Sequence, residues 1–371
     1  TNMTTILVKD ALRTAIEAAS GGKQTVLYTP KGQPTFVNII PKVNIETLNP
    51  ALGITGVHPA FKSGDKEIPQ LYIGTYQGAI VNGELLSLPN VDPNARKTTL
   101  NAAISAAKAI GSTWHVMTNA EFSLLQAIAI NNGFNPHGQN TNAGFNSTGE
   151  HGRRVDGKAP GEAGDRCIYT GSGPVSFRHD GNFSGISDIV GNMWERTPGA
   201  RVVPGGEIQV YGKGNEAAAA GADIFSTSDT SAGWYAFDAT TGELIPATFS
   251  GSLAGGDYVP TTVNSVRVKA SATGLAANEF FFGSWASVTV QPASTLPAAV
   301  KSAMELHGLW PTITGAGIAR GSETAQYSPS ATSAVHPLRS LSGIFQFGFV
   351  GSPVTVVSEQ GVRPVYYDPL A

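Results

Sequence analysis

Apolar runs in this 371-residue chain are short and repeatedly interrupted, which limits its fold more than any other feature. A membrane-spanning helix needs about 20 consecutive, mostly apolar residues. None is present, so membrane insertion is not expected. The interruptions come from 44 glycines and 23 prolines, residues that end helices and make turns. Apolar segments still recur along the whole chain, so the pattern describes a folded, loop-rich protein and not a disordered one. The length allows one large domain or two ordinary ones, with room for a sizeable core.

Charged residues make up only 14% of the chain, with a formal net charge of −3. The basic residues are scattered. Without a block to neutralise phosphates, nucleic acid is not an expected partner. Low charge with much Gly, Ser and Thr suits an extracellular or particle-surface protein better than a helical cytosolic enzyme. The single cysteine, Cys167, excludes an intramolecular disulfide and a cysteine metal cluster. It is expected as a small buried hydrophobe. Thr1 to Ser20 reads as an amphipathic helix with charges at Lys9, Asp10, Arg13 and Glu17, and lacks the form of a signal peptide.

Along the chain, residues 6–20 predict a short helix with apolar positions Leu12, Ile16 and Ala19, stopped at Gly21-Gly22. Gln24–Tyr28 and Phe36–Ile40 read as strands around Pro30-Lys31-Gly32. Leu71–Tyr76 and Ala79–Val81 look like a second strand pair, followed by a turn at Gly83. Thr98–Ile110 predicts an amphipathic helix ended by Gly111. The sharpest local signal is Thr118-Asn119-Ala120-Glu121. Thr118 can accept from the Glu121 N–H and Glu121 can reach back to the Thr118 N–H, a capping box that opens a helix through Ile130, with Gly133 beyond its end. Asn131–Ser184 reads as long ordered loops, Asp188–Glu195 as a short strand, and Glu207–Tyr211 and Val263–Val268 as alternating strand segments. Pro297–His307 predicts a last helix stopped by Gly308, and Gly343–Val350 and Gly361–Tyr367 the closing strands. There is no exact internal repeat. The reading is α+β with few helices, short antiparallel strands and long ordered loops.

Four motifs then occur in order. Met117-Thr118-Asn119-Ala120-Glu121-Phe122 resembles the "LPTEAEWE" helix start of the formylglycine-generating-enzyme (sulfatase-modifying factor) family. Ile186 to Glu195, "ISDIVGNMWE", is similar to that family's "DMxGNVWEW". Ala319-Arg320-Gly321-Ser322 resembles "RGGSW" without its second glycine and its aromatic, and Gly361-Val362-Arg363-Pro364 matches the terminal "GFRP". Tyr72–Leu88, Gly171–Gly181 and Leu338–Pro364 also resemble phage and prophage variable receptor-binding proteins. These are of the major-tropism-determinant, diversity-generating-retroelement class, although the Asn-rich sequence common in them is missing after Asn278. The resemblance covers about residues 25–371 and implies a C-type-lectin fold of the formylglycine-generating-enzyme type. The scaffold residues it implies are Thr118, Glu121, Gly191, Asn192, Trp194, Glu195, Arg320, Gly321, Gly361 and Arg363. Gly191 and Asn192 suit a tight turn beside a packed Trp194. Glu195 and Arg363 are candidates for a buried ion pair pinning the last strand, with two solvated charges as the alternative. Trp114, Trp285 and Trp310 are read first as core.

The resemblance does not carry over an activity. Formylglycine-generating enzymes use a C-terminal cysteine pair, and residues 168–371 contain no cysteine. The seven histidines, His58, His115, His137, His151, His179, His307 and His336, have no HxxxH or HxH spacing for an iron site. His179-Asp180 near Ser176 reads as a turn with Gly181 and not as a triad, because neighbours on a strand face opposite ways. The glycine loop Gly171-Ser172-Gly173-Pro174 is not followed by a lysine-bearing helix, so phosphate binding is not expected. Asp180, Asp188 and Glu195 are the carboxylates a structural calcium would use, but the alternating-carboxylate calcium loop is absent. No catalytic residue, metal site or cofactor is therefore expected.

In such variable proteins the ligand-facing residues lie in the last fifty or so positions, between scaffold positions. Here that implies a binding surface of Ser322, Glu323, Gln326, Tyr327, Ser328, Thr332, His336, Arg339, Ser340, Gln346, Ser352 and Thr355, small polar groups with a few rigid anchors. In the strand Phe345-Gln346-Phe347-Gly348-Phe349 the aromatics share one face and read as core, leaving Gln346 outward. The expected division is 1–35 as an oligomerisation or docking segment and 36–371 as the lectin-like domain, with insertions at 199–310. The expected function is non-enzymatic recognition on a phage tail or particle surface, or else on a bacterial surface or as a prophage product. Its expected partners are a host cell-surface receptor (protein or glycan), other virion proteins and its own copies, with a trimer as one form. The alternatives are a divergent metal-dependent oxygenase of the same fold and a purely structural virion protein.

Overall fold

Turn residues decide where several strands of this chain end. The computed structural model describes residues 10–139, 148–221, 233–284, 287–310, 325–327, 330–339, 347–351, 356 and 359–369. For 282–284, 287–293, 325–327, 347–348 and 350–351 it describes the backbone alone. Helix α1, Ala11–Ala19, is capped by the Asp10 carboxylate, which accepts from the Arg13 N–H, and it ends before Gly21 and Gly22. Gly32, at φ +76, lets β1 (Gln24–Tyr28) fold back on β2 (Pro34–Pro41) from Gln24↔Asn38 to Tyr28↔Pro34. The expected boundary at residue 35 therefore falls inside β2, which pairs with β1 along all of that strand.

After the short helix α2 (Ile45–Leu48) come the small strands β3 (Lys62–Ser63) and β4 (Lys66–Glu67). The expected pairing of Leu71–Tyr76 with Ala79–Val81 does not form. Strand β5 (Gln70–Gly74) pairs with β2 instead, and β6 (Gly78–Val81) folds onto β7 (Glu84–Ser87). The reason lies in Asn82-Gly83. Both are left-handed, at φ 49 and 80, the geometry of a two-residue hairpin turn, so β6 is claimed by its nearer neighbour. Helix α3 (Leu100–Lys108), with Thr99 as N-cap, leads to β8 (Trp114–Val116) and α4 (Asn119–Asn132).

The predicted capping box is present. Thr118 Oγ1 accepts from the Glu121 N–H and Glu121 Oε2 accepts from the Thr118 N–H, while Gly133 closes the helix in the left-handed region. Ten of the fourteen α4 residues are buried, so it is a central core helix and not a surface one. Phe122, Leu124 and Leu125 are fully buried, each worth roughly 1.5–3 kcal/mol relative to exposure.

The second half is built from β9 (Trp194–Arg196), β10 (Ala200–Val202), β11 (Ile208–Tyr211), the short helix α5 (Glu216–Ala219), β12 (Trp234–Phe237) and β13 (Leu244–Pro246). Next are β14 (Phe249–Ser250), β15 (Val259–Pro260), β16 (Arg267–Val268), β17 (Glu279–Ser284), β18 (Ser287–Ser294) and helix α6 (Ala298–Leu306). The last are β19 (Ala325–Tyr327), β20 (His336–Arg339), β21 (Phe347–Gly351), β22 (Gln360–Gly361) and β23 (Pro364–Tyr366).

Three sheets carry the architecture. One is antiparallel, in the order β1-β2-β5-β23-β8, and a second is antiparallel, β10-β11-β12-β13. The third is mixed, β16-β17-β18-β19-β21-β20-β9-β22, with parallel contacts β16/β17, β19/β21 and β22/β9. The protein is thus α+β with short, mostly antiparallel strands, and among the described residues no helix is long and apolar enough to cross a membrane.

Three expected strands are altered, two of them by backbone that a strand cannot hold. Asp188, Gly191 and Asn192 are left-handed, at φ 53, 74 and 60, so only Trp194–Arg196 of the Asp188–Glu195 segment extends. Asn264, at φ 55, restricts the Val263–Val268 segment to Arg267–Val268. Gly361–Tyr367 divides in two. Its start pairs parallel with Trp194 and Glu195, and its end enters the first sheet between β5 and β8. Arg363 lies at that crossing, and its carbonyl accepts from the Met117 N–H at 2.7 Å.

Candidate functional site

The motif residues assemble around two buried polar centres. At the first, Glu121 is fully buried. Its Oε1 meets His115 Nε2 at 2.7 Å and accepts from Asn215 Nδ2 at 2.8 Å. Thr118 Oγ1 donates to Asn215 Oδ1 at 2.6 Å. Burial pushes the Glu121 pKa up. His115 and the hydrogen bonds from Thr118 and Asn215 outweigh that and hold it below the ordinary value. Asn215 lies far along the chain from this helix start and carried no sequence signal.

At the second centre, the Glu195 and Arg363 side chains are 1% and 0% exposed. Arg363 Nε donates to both Glu195 oxygens at 3.2 and 3.3 Å, and Nη2 to Oε1 at 2.5 Å. The remaining donors reach Gly74 O, Ser187 O and Asp188 O at 3.0, 3.0 and 3.3 Å. The candidate ion pair is therefore real and fully buried, and the solvated alternative is excluded. It ties β5, the 187–188 turn, β9 and the C-terminal crossing together.

The glycine-asparagine turn is fixed just as closely. A Cβ on Gly191 would lie 2.4 Å from the Gln139 carbonyl oxygen, with φ at +74. Asn192 Oδ1 accepts from the Ile168 N–H at 2.8 Å, and its Nδ2 donates to Gln77 Oε1 at 2.8 Å. Gln77 in turn donates to Asp188 O and Glu195 Oε1. Trp194 is 5% exposed and Trp114 6%, with Trp114 tilted against Tyr366 at 4.9 Å. Trp310 is 7% exposed and meets Phe280 at 5.4 Å. These tryptophans are core, as expected, while Trp285 lies outside the described residues.

The groups that invite a catalytic reading have structural partners. His179 Nδ1 accepts from the Ile186 N–H at 2.8 Å, and burial lowers its pKa to about 4. Asp180 Oδ1 accepts from the Asn182 N–H in the turn that Gly181 completes at φ 69. Ser176 donates instead to Glu150, at 2.6 Å. Asp188 Oδ2 accepts from the Gly171 N–H and from Ser187 Oγ, both at 2.8 Å. Cys167 is buried, which pushes its thiol pKa up and away from the reactive thiolate.

The expected C-terminal surface needs a correction at two positions. His336 is 5% exposed, and burial, followed by the Arg201 charge, pushes its pKa down to about 3. Arg339 is fully buried. Its Nη1 donates to Gly308 O at 2.6 Å, its Nη2 donates to Asn119 Oδ1, and its guanidinium lies 5.6 Å from the Phe122 ring centre. Neither residue can meet a ligand from solvent. Both sit on β20, which pairs with β21 and β9 in the third sheet and is buried at all four of its residues, where ligand-facing side chains were expected. Sequence reading missed this because polar side chains were taken as solvent-facing.

Thr332 is exposed, in a turn where Ser330 Oγ accepts from the Thr332 and Ser333 N–H groups. It lies beside Gly256, in the loop between β14 and β15. That hairpin carries Phe249 and Val259, 36% and 54% exposed, followed by Val263 at 84%. Gln326 and Tyr327 are on β19, described by backbone alone. Ser322, Glu323, Ser328, Ser340, Gln346, Ser352, Thr355, Phe345, Arg320 and Gly321 lie outside the described residues. Neither protein-family models nor curated proteins match this sequence.

Proposed function

We propose that the protein is a non-enzymatic recognition protein of C-type-lectin type, carried on a phage particle as a receptor-binding protein. The observation that carries this reading is the fate of the family-like motifs. Glu121, Asn192, Glu195 and Arg363 are each consumed by buried structural hydrogen bonds, so the motif positions hold a frame together. A rigid frame with variable outer loops is what a binding scaffold requires. The binding surface in this reading is the C-terminal side without His336 and Arg339. Thr332 contributes, and the hairpin bearing Phe249 and Val259, with Val263 just after it, extends it with exposed apolar anchors. Host protein or glycan is the partner class.

Helix α1 supports the docking role of the N-terminal segment. Arg13, Ile16 and Glu17 are its half-buried side: Arg13 pairs with Glu17 at 3.0 Å and Thr25 of β1 donates to Glu17 at 2.7 Å. Ala11, Leu12, Ala15, Ala18 and Ala19 are exposed, with Thr14 the one polar residue among them. An outward apolar stripe of this kind fits contact with further copies or with other virion proteins.

The test is adsorption by particles carrying Phe249→Asp, Val259→Asp and Val263→Asp together. Host adsorption falls at least tenfold while particle yield and protein incorporation stay unchanged. Unchanged adsorption would remove this surface. Adsorption unchanged even on deletion of the whole protein would leave a purely structural role.

A further inference from the structure

The turn that joins His179 to Ile186 is closed by the imidazole itself. The His179 N–H donates to Ile186 O at 2.9 Å, and the Ile186 N–H donates to His179 Nδ1 at 2.8 Å. Between these two bonds, residues 180–185 form a tight loop. Asp180 Oδ1 accepts from the Asn182 N–H at 3.0 Å, and Asn182 O accepts from the Gly185 N–H at 2.9 Å. Asn38 Nδ2 of β2 and Arg178 Nη1 hold the far limb, donating to Ser184 O at 2.6 Å and to Gly185 O at 3.1 Å. At the tip, Phe183 is 83% exposed, an aromatic ring held out into water.

The bond to Nδ1 exists in one protonation state alone. Nδ1 accepts only while it carries no proton, so the neutral ring has its hydrogen on Nε2. A proton on Nδ1 turns the acceptor into a donor, and the N–H of the fully buried Ile186 loses its partner. The charges around the ring decide what the new cation meets. Arg363 from the C-terminal crossing, Lys23 ahead of β1 and Arg178 of the same turn disfavour it, and Asp180 favours it. Asp180 Oδ1 lies 3.9 Å from Nδ1, so the protonated ring has a second partner within a small rotation.

We propose that His179 is an acid-released latch: neutral, it clasps the Phe183 turn shut through the Ile186 N–H, and protonated, it gives up that bond for Asp180 and frees the turn. Burial holds its pKa in the closed turn at about 4, while an opened, hydrated ring titrates near 6.5. The open form therefore takes up more protons between those values. Closure is whole above about pH 6.5 and is lost as the pH falls through about 4. Phe183 is held in a fixed pose at neutral pH and let go in acid. The latch does not depend on the recognition role proposed above.

Amide hydrogen exchange on the full chain, compared from pH 7 to 5, tests it. Protection of the Gly185 and Ile186 N–H groups falls by up to about tenfold per pH unit below about pH 6.5. Both exchange faster than the core N–H of Met117, because the turn opens by itself. His179→Asn sets an amide oxygen where Nδ1 stands, one that accepts but does not titrate, and it flattens the pH dependence of both amides. Long-range ¹H–¹⁵N spectra of the native imidazoles need no variant and place the His179 proton on Nε2 at pH 7. A proton on Nδ1 at that pH, protection that stays level from pH 7 to 5, or the native pH dependence retained in His179→Asn would overturn the latch. Exchange of Ile186 only in step with Met117 would overturn the local opening.

Discussion

Replacing Glu195 by glutamine tests the central claim that the motif residues are frame. Glu195 and Arg363 are 1% and 0% exposed, and three guanidinium contacts of 2.5–3.3 Å join them. Removing one member of a buried pair costs about 3–5 kcal/mol, because the other charge is left uncompensated. Glutamine keeps one acceptor oxygen, and Arg363 keeps its bonds to the Gly74, Ser187 and Asp188 carbonyls, so the cost falls near the lower end, ~3 kcal/mol. At an m-value of about 3 kcal/mol/M, the urea midpoint drops by roughly 1 M. Arg363→Met should cost more than Glu195→Gln, since it also strips the donors from those carbonyls. Urea titration followed by tryptophan fluorescence measures both. A cost below about 1 kcal/mol for Glu195→Gln, or Arg363→Met costing less than Glu195→Gln, would refute the reasoning.

The other expectations concern pH, burial and backbone. His58, His179, His307 and His336 have pKa values lowered by burial to about 3, 4, 4 and 3. Unfolded histidine titrates near 6.5, so the unfolded state binds more protons below that pH, and stability falls by up to ~1.4 kcal/mol per histidine per pH unit. Their stability is whole above about pH 6.5 and is lost as the pH falls through 4 towards 3. Glu121, whose folded pKa is lowered, continues the loss below the ordinary glutamate range. Urea midpoints that stay level from pH 7 to 5 would contradict this. Arg339→Leu removes the bonds to Gly308 O and Asn119 Oδ1 and destabilises the fold by about 2–4 kcal/mol. Host adsorption per folded particle is unchanged, whereas a surface contact would give the opposite pattern. Gly191→Ala forces a Cβ to within 2.4 Å of a backbone oxygen at a left-handed φ, and the expected outcome is insoluble protein or a loss above about 2 kcal/mol. Cys167 should react with a thiol reagent only at the unfolding rate, and rapid labelling of the native protein would contradict its burial.

Local interactions were legible in the sequence, and distant ones were not. The capping box at Thr118 and Glu121, the hairpin of β1 and β2 and the glycine stops at Gly133 and Gly308 rest on contacts a few residues apart. Residue type alone specifies such contacts. The Glu195–Arg363 pair crosses 168 positions, and only the resemblance drew the two together. Asn215 and Gln77, equally central to the polar centres, had no motif to mark them. Strand pairing shows the same division. The turn residues Asn82-Gly83 fix a near neighbour for β6, but only the assembled sheet could give β5 to β2 and β23. Most of all, His336 and Arg339 are chemically suited to solvent, and sequence reading left them there. Burial is a property of what packs on both sides of a strand, so only the fold could decide that β20 runs through the interior.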